Sequence, residues 1–310
     1  MSNTITEHKL ITLNTRYANK INRTFNSNVL FNFTGILTEE EDIISSNICI
    51  MNAQIPVSFY TINETNNYFQ LKISVSYEDI FIPFGNYNAN TLITAINTQW
   101  AATISGAGHP LTITLNNVNG KLTFAYSSTL FINFPLNITT SQTNFSYRIL
   151  GFDANTSYSG LSINAPYPLN LLGVNRLAIR SNKLAISSYN SVSLNLGITL
   201  STIPVNTSAF GLIDYTNQTD LNKALLRVNI INEIDINIVD EDNNLINFNN
   251  IDWTITLVLE NIRVIPIRFT NTFKSLTQNI EMIKKENEDL TKEEKKETNK
   301  DLEDLELLNA

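Results

Sequence analysis

Between Ile234 and Glu260 apolar side chains recur at every second position on both sides of an acidic turn, and this period of two limits what the chain can build. Ile234, Ile236 and Ile238 share one face before the turn; Trp253, Ile255, Leu257 and Leu259 share one face after it. Side chains alternate across a pleated strand, so each run reads as a strand buried on one side. Together they predict a strand pair of an antiparallel sandwich or barrel. Runs of similar texture occur at Val29–Ile36, Ile43–Tyr60 and near 177–181, 191–202 and 225–239. Pro56, within the second of these, lacks a ladder donor and marks a strand end, a bulge or an edge. With 310 residues, 43% of them apolar, the chain can bury a full core. About one residue in seven is asparagine, which supplies turn formers between strands.

The texture changes between about Asn66 and Phe152. A strand-like YFQLKISV leads to the turn signal IPFGNYN, after which Leu92, Ile93, Ile96 and Trp100 fall at helical spacing behind a candidate N-cap, Asn90. Asn119-Gly120 then sits between two alternating runs, the signature of a hairpin closed by a type I′ turn. Strand, helix, hairpin and strand predict a small α+β insertion over 66–159, within a sandwich built from 28–65 and 160–269. Residues 1–27 read as a polar arm that orders on a partner. Residues 270–310 read as a charged tail, helical or disordered. In the tail Phe273, Leu276, Ile280 and Ile283 keep a heptad-like register, but Asn287 and Glu294 interrupt it, which predicts a short amphipathic helix rather than a long coiled coil. Leu302, Leu305 and Leu308 form a small candidate docking face.

The net charge of -8 is concentrated at one end: residues 281–306 hold eleven acidic and six basic side chains, leaving the body nearly neutral. The one basic set, Lys9, Arg16, Lys20 and Arg23, reads as a solvated or partner-docked arm, so nucleic acid is not an expected partner. A single cysteine, Cys49, excludes an intramolecular disulfide, suits a reducing compartment and reads as a buried structural thiol. The opening MSNTITEHKL lacks the apolar core of a signal peptide, and no run reaches the length of a membrane span.

Groups for catalysis are scarce. The two histidines, His8 in the arm and His109 in a loop, are poorly placed for a triad or a metal site. Asp240, Asp242 and Asn244 have the spacing with which a calcium loop begins. Leu245 and Ile251, however, stand where that loop needs glycine and a bidentate glutamate, so the turn reads as a solvated hairpin loop. The acidic run 39–42 reads as a surface loop. No glycine-rich phosphate cradle opens a helix; Gly106 and Gly108 precede a proline and a strand. Trp100 and Trp253 fall on apolar faces and read as core rather than a sugar-stacking platform. No catalytic, cofactor-binding or metal-binding residue is assigned, no cofactor is expected, and the chain does not read as an enzyme.

Five segments carry a family resemblance: NAQIPVSFYTIN at 52–63, IPFGNYNANTL at 82–92, VNGKLTF at 118–124, ILGF at 149–152, and INEIDINIVDEDNNLINFNNIDWTITLVLE at 231–260. In that order, over residues 25–262, the chain resembles the penton and minor capsid proteins of virophages, Polinton-like elements and large DNA viruses of eukaryotes. The resemblance implies a jelly-roll sandwich located in the virion and assembled in the host cytoplasm. It further implies a homopentamer at the fivefold vertex, in contact with the major capsid protein, whose insertion could face a host receptor. The alternatives are a minor capsid cement protein and a β-sandwich attachment or glycan-binding module. The tail after Phe269 has no counterpart in the family pattern.

Overall fold

A computed structural model describes residues 3–20, 25–37, 43–135, 146–154, 156–184, 188–189, 196–197, 199–218, 223–226, 231–265, 278–292 and 295–296. By its internal contacts the chain divides into two units, one of residues 7–41 and 45–261 and a smaller one of 1–6, 42–44 and 262–310.

The alternating runs form two five-stranded sheets. The first orders β1 (Asn3–Asn14), β17 (Thr254–Ile265), β4 (Ile43–Pro56) and β14 (Leu212–Thr216), with β15 (Ala224–Leu225) also paired to β4. The second orders β13 (Thr199–Pro204), β10 (Arg176–Arg180), β16 (Ile231–Val239), β3 (Asn28–Leu37) and β2 (Asn19–Lys20). β11 (Ser188–Tyr189) and β12 (Leu196–Gly197) make a separate two-stranded ribbon. Eight strands carry the two large sheets. Numbered along the chain as β1, β3, β4, β10, β13, β14, β16 and β17, they fall in the order 1-8-3-6 in one sheet and 5-4-7-2 in the other. Two interleaved Greek keys of this order define a jelly roll. The fold is a jelly roll.

Its core lies between the sheets. Ile11, Leu13, Ile48, Ile50, Ile55, Ile213, Ile255, Leu257 and Leu259 from the first sheet are buried, as are Val29, Phe31, Leu177, Ile179, Ile203, Ile234, Ile236 and Ile238 from the second. Trp253, 1% exposed, meets Phe31 edge to face at 6.3 Å between ring centroids, and its indole N–H donates to the Asn26 carbonyl at 2.7 Å. The two runs around the acidic turn are strands with the expected inward faces, but they do not pair with each other. β16 pairs with β10 and β3, while β17 lies between β1 and β4. The long connection after Val239 crosses from one sheet to the other, which a hairpin turn could not do.

The N-terminal segment is also not the expected arm. Residues 3–14 are strand β1, with Ile11, Leu13 and Thr15 buried and the Thr15 hydroxyl donating to Asp252 Oδ1 at 2.9 Å. Only Ile11 and Leu13 of this strand are buried, while Thr4, Ile5, Thr6, His8 and Leu10 are exposed, so most of it resembles a solvated arm in sequence. Lys9 approaches Glu7 at 3.9 Å and Arg16 approaches Asp252 at 3.6 Å. Arg23 lies outside the described residues, as does the acidic run 39–42.

Between β4 and β10 the chain builds a third sheet. It orders β6 (Glu78–Phe81), β5 (Tyr68–Lys72), β8 (Leu122–Asn133) and β7 (Thr112–Leu115), with β9 (Tyr158–Asn164) also on β8. Helix α1 (Ala89–Ala101) packs Leu92, Ile96 and Trp100 into a core whose buried members all come from residues 62–165. The sheet thus runs past residue 159, because β9 completes β8 rather than a sandwich strand. The helix starts two residues earlier than Asn90 suggested. Asn88 is the N-cap, its side chain accepting from Thr91 N at 2.9 Å while the Thr91 hydroxyl accepts from Asn88 N at 3.0 Å, a reciprocal capping box. The hairpin forms between β7 and β8, but without a type I′ turn. Gly120, at φ +69, is the one left-handed residue of the connection, its N–H reaches the Asn116 carbonyl at 2.8 Å, and Asn116 Oδ1 accepts from Val118 N at 2.9 Å. The asparagine side chain lengthens the loop beyond two residues.

In the smaller unit residues 278–292 are helical and exposed throughout. Phe273, Leu276, Leu302, Leu305 and Leu308 lie outside the described residues. Among the described residues no helix is long and apolar enough to cross a membrane.

Candidate functional site

The third sheet is joined to the jelly roll by two connections, and the loop between β16 and β17 grips both. On the incoming connection, the Ser58 hydroxyl donates to the Phe248 carbonyl at 2.7 Å, Asn249 Nδ2 donates to the Ser58 carbonyl at 2.5 Å, and Phe59 meets Phe248 edge to face at 6.0 Å. On the returning connection, Glu241 Oε1 accepts from Asn175 N at 2.9 Å and Arg176 N at 3.0 Å. Asp242 Oδ2 takes Arg148 Nη1 at 2.8 Å, which ties the loop to α2 (Ser146–Leu150) beside the third sheet. Arg180 Nη2 on β10 donates to Asn243 Oδ1 at 2.6 Å.

The loop is preorganised for this grip. Asp240 Oδ1 accepts from Asp242 N at 2.9 Å and Asn244 N at 2.8 Å, and Oδ2 accepts from Asn244 Nδ2 at 3.0 Å. Asn243, at φ +69, turns the chain where an asparagine tolerates the left-handed region. The acidic turn is therefore a clasp, and its charges have internal partners instead of being spent on solvent alone. The acidic side chains point to three separate neighbours, and among the described residues no group of three or more His, Cys, Asp or Glu could hold a metal ion.

Burial pushes the Asp240 carboxyl up, against the pull of its hydrogen bonds from Asn244 and Asp242. A carboxyl raised on folding contributes stability that is present below its unfolded pKa and is lost as pH rises through its folded pKa. Asp240→Asn removes that titration. We expect the difference in urea midpoint, variant minus parent, to move in the variant's favour as pH rises from about 3 to about 7. The lost acceptor sets a constant offset; a flat difference would show that Asp240 titrates as an exposed carboxylate does.

Beside the clasp is an open cleft of about 260 Å³ lined by asparagines, with Asn63, Asn66 and Asn170 facing Arg148, Asp240 and Glu241. Its asparagines serve the loops themselves. Asn63 Oδ1 accepts from Thr65 N at 2.9 Å, Asn66 Oδ1 from Asn63 N at 2.8 Å, and Asn66 Nδ2 donates to the Thr61 carbonyl at 2.9 Å. The cleft presents amides, the Arg148 guanidinium, the hydroxyl-bearing Tyr60, Thr61 and Thr65, and the clasp carboxylates Asp240, Glu241 and Asp242.

The remaining chemistry-bearing residues are apart from it. His8 is exposed on β1, and His109 Nδ1 lies 2.7 Å from the Tyr126 hydroxyl while its carbonyl accepts Trp100 Nε1–H at 2.7 Å. Both tryptophans are buried, so neither offers a stacking surface. Cys49 is half-buried on β4.

A second surface has no warning in the sequence. Phe210 stands at φ +65 and 81% exposed, on the turn entering β14, with Leu212 of that edge strand 53% exposed. Its N–H donates to the Val57 carbonyl at 2.8 Å, and Val57 N donates to the Gly211 carbonyl at 2.9 Å. A bulky residue at positive φ is an outlier costing about 1–2 kcal/mol. Here the cost is offset by the two ladder bonds, and the turn holds an aromatic ring out in solvent.

Among solved structures, the chain is similar to the selenomethionine-labelled penton protein of mavirus, at 15% identity and a TM-score of 0.43 over 84% of this chain and 100% of that one. It is also similar to a chain of the Sputnik virophage structure determined by cryo-EM, at 14% identity and a TM-score of 0.35 over 84% of this chain and 98% of that one. No protein-family model matches the chain, and no curated protein does.

Proposed function

We propose that the chain is a structural subunit of an icosahedral virus capsid, the homopentamer at the fivefold vertex, which carries its α+β section on the connection between the third and fourth jelly-roll strands. The observation that carries this reading is the strand order, 1-8-3-6 against 5-4-7-2, with that section held by a clasp on both connections. The ordered segments from 52 to 260 support it, as does the nearly neutral body, which suits close packing of copies. The exposed Phe210, on the turn entering β14, and Leu212, on that edge strand, are the residues we assign to contact with a neighbouring subunit. The α+β section is then available to the outside of the particle and to a host receptor.

Native mass measurement of the purified protein tests the assembly, with five copies of the 34.9 kDa chain as the expected species. Protein analysis of purified particles tests the location. A strict monomer that is also absent from particles would overturn the reading; a monomer found in particles would replace the vertex role by that of a cement protein. Phe210→Asn separates contact from folding, because asparagine tolerates positive φ. The variant should be at least as stable as the parent, while its self-association weakens about tenfold or more. Unchanged self-association would remove Phe210 from the interface.

A further inference from the structure

The helix at 278–292 presents a seam that none of the preceding functions uses. All fifteen residues are exposed, including Ile280, Ile283 and Leu290 along one line and Met282 on the opposite side, and an isolated helix of that length is marginal in water. The charges do not explain it. Glu281, Lys285, Glu288, Asp289 and Lys292 lie on the opposite side, where Asp289 and Lys292 approach at 3.7 Å. With Ile280 in the first position of a heptad, Ile283 is in the fourth, Asn287 returns to the first and Leu290 to the fourth. Lys284, Glu286 and Thr291 flank this line, so the apolar stripe is one residue pair wide.

The width of the stripe selects its occupant. Docking against a globular groove calls for a broader face that includes a flanking position, whereas a strict first-and-fourth stripe is the seam of a coiled coil. Asn287 selects further. In an antiparallel pair its amide would be buried against an apolar side chain without a partner. In a parallel pair of identical helices in register, Asn287 meets Asn287 and the two amides satisfy each other, a device that fixes register at some cost in stability. We infer that the 278–292 helices of separate copies of this chain associate in parallel and in register, with Asn287 as the register pin. The inference is independent of a capsid role, since it rests on the tail alone.

Single-cysteine chains test it, because Cys49 is the only native thiol and Cys49→Ser leaves a clean background. Full-length Ile283→Cys, Leu290→Cys and, as an outward control, Lys285→Cys are each treated with a mild thiol oxidant in dilute solution. In-register seams bring like positions within disulfide reach, so the first two should give linked two-chain species about tenfold faster than the control. A mixture of Ile283→Cys and Leu290→Cys chains should give no mixed product, since the two positions are a heptad apart. Equal linkage in Lys285→Cys, no linkage at the seam, or a mixed product would each overturn the inference. Failure here would leave a five-copy native mass untouched, and a monomeric native mass with seam-specific linkage on concentration would overturn only the vertex reading.

Discussion

Trp253→Ala should cost about 3–5 kcal/mol of stability, the range for truncating a buried tryptophan. The indole is 1% exposed, packs its edge on Phe31 across the two sheets, and satisfies the carbonyl of Asn26, which is itself fully buried. Removing it opens a cavity where the second strand of one sheet meets the last strand of the other and strands a buried acceptor. Against a total stability of about 5–15 kcal/mol for a globular domain, that is enough to populate unfolded chains at ordinary temperature. Urea titration followed by circular dichroism in the strand region measures it. Trp253→Phe, which keeps most of the volume but loses the N–H, should recover more than half of the loss. A cost below about 1 kcal/mol for the alanine variant would mean that Trp253 is not the central contact between the sheets.

Gly151→Ala should be nearly as severe, although it adds a single methyl group. Gly151 stands at φ +80, its carbonyl accepts from Tyr167 N at 2.9 Å, and a Cβ there would lie 2.2 Å from the Tyr167 carbonyl oxygen. The left-handed conformation costs an alanine about 1–2 kcal/mol, and the contact demands that the backbone of the returning connection move as well, for a total of about 3 kcal/mol or more. The damage should be local. Hydrogen exchange should speed up in α2 and over residues 165–171 before it does in β16 and β17. Exchange that rises equally everywhere would show that the α+β section and the jelly roll unfold as one.

Periodicity was a sound guide to which face of a strand is buried and a poor one to which strand lies beside it. Ile234, Ile236 and Ile238 and the series from Trp253 to Leu259 point inward as alternation requires, yet their strands sit in opposite sheets. Pairing is decided by the path of the connection, and the connection here is a folded loop rather than a turn. Strand β1 was hidden because only Ile11 and Leu13, at its end, are buried, and the exposed or half-buried residues before them show no apolar alternation. Helix α1 was legible to within two residues because both Asn88 and Asn90 can cap, and the choice fell to the box that Asn88 closes with Thr91.

The candidate site was less legible. Asp240 to Asn244 stood out as an acidic turn, but no local signal tells that Glu241 holds the backbone of Asn175 and Arg176, or Asp242 the side chain of Arg148. These are contacts between segments more than sixty residues apart, made by side chains whose composition also suits plain solvation. Phe210 is a clearer case of misdirection. The pair Phe210-Gly211 invites placing positive φ on the glycine, but Gly211 is there for close approach, a Cβ on it falling 2.3 Å from Thr207 Oγ1, and the left-handed conformation passes to the phenylalanine.

The two connections of the α+β section run side by side: a Cβ on Gly173 of the returning connection would touch Thr61 of the incoming one. A chain that leaves and re-enters at neighbouring points can be lengthened, shortened or exchanged between those points without displacing a strand, since the ends to be joined are already together. The jelly roll thereby leaves and resumes its path at one place on its surface. Sequence grafted between Thr61 and Gly173 should leave the strand order of the jelly roll intact, at the cost of the contact that Arg148 makes with Asp242.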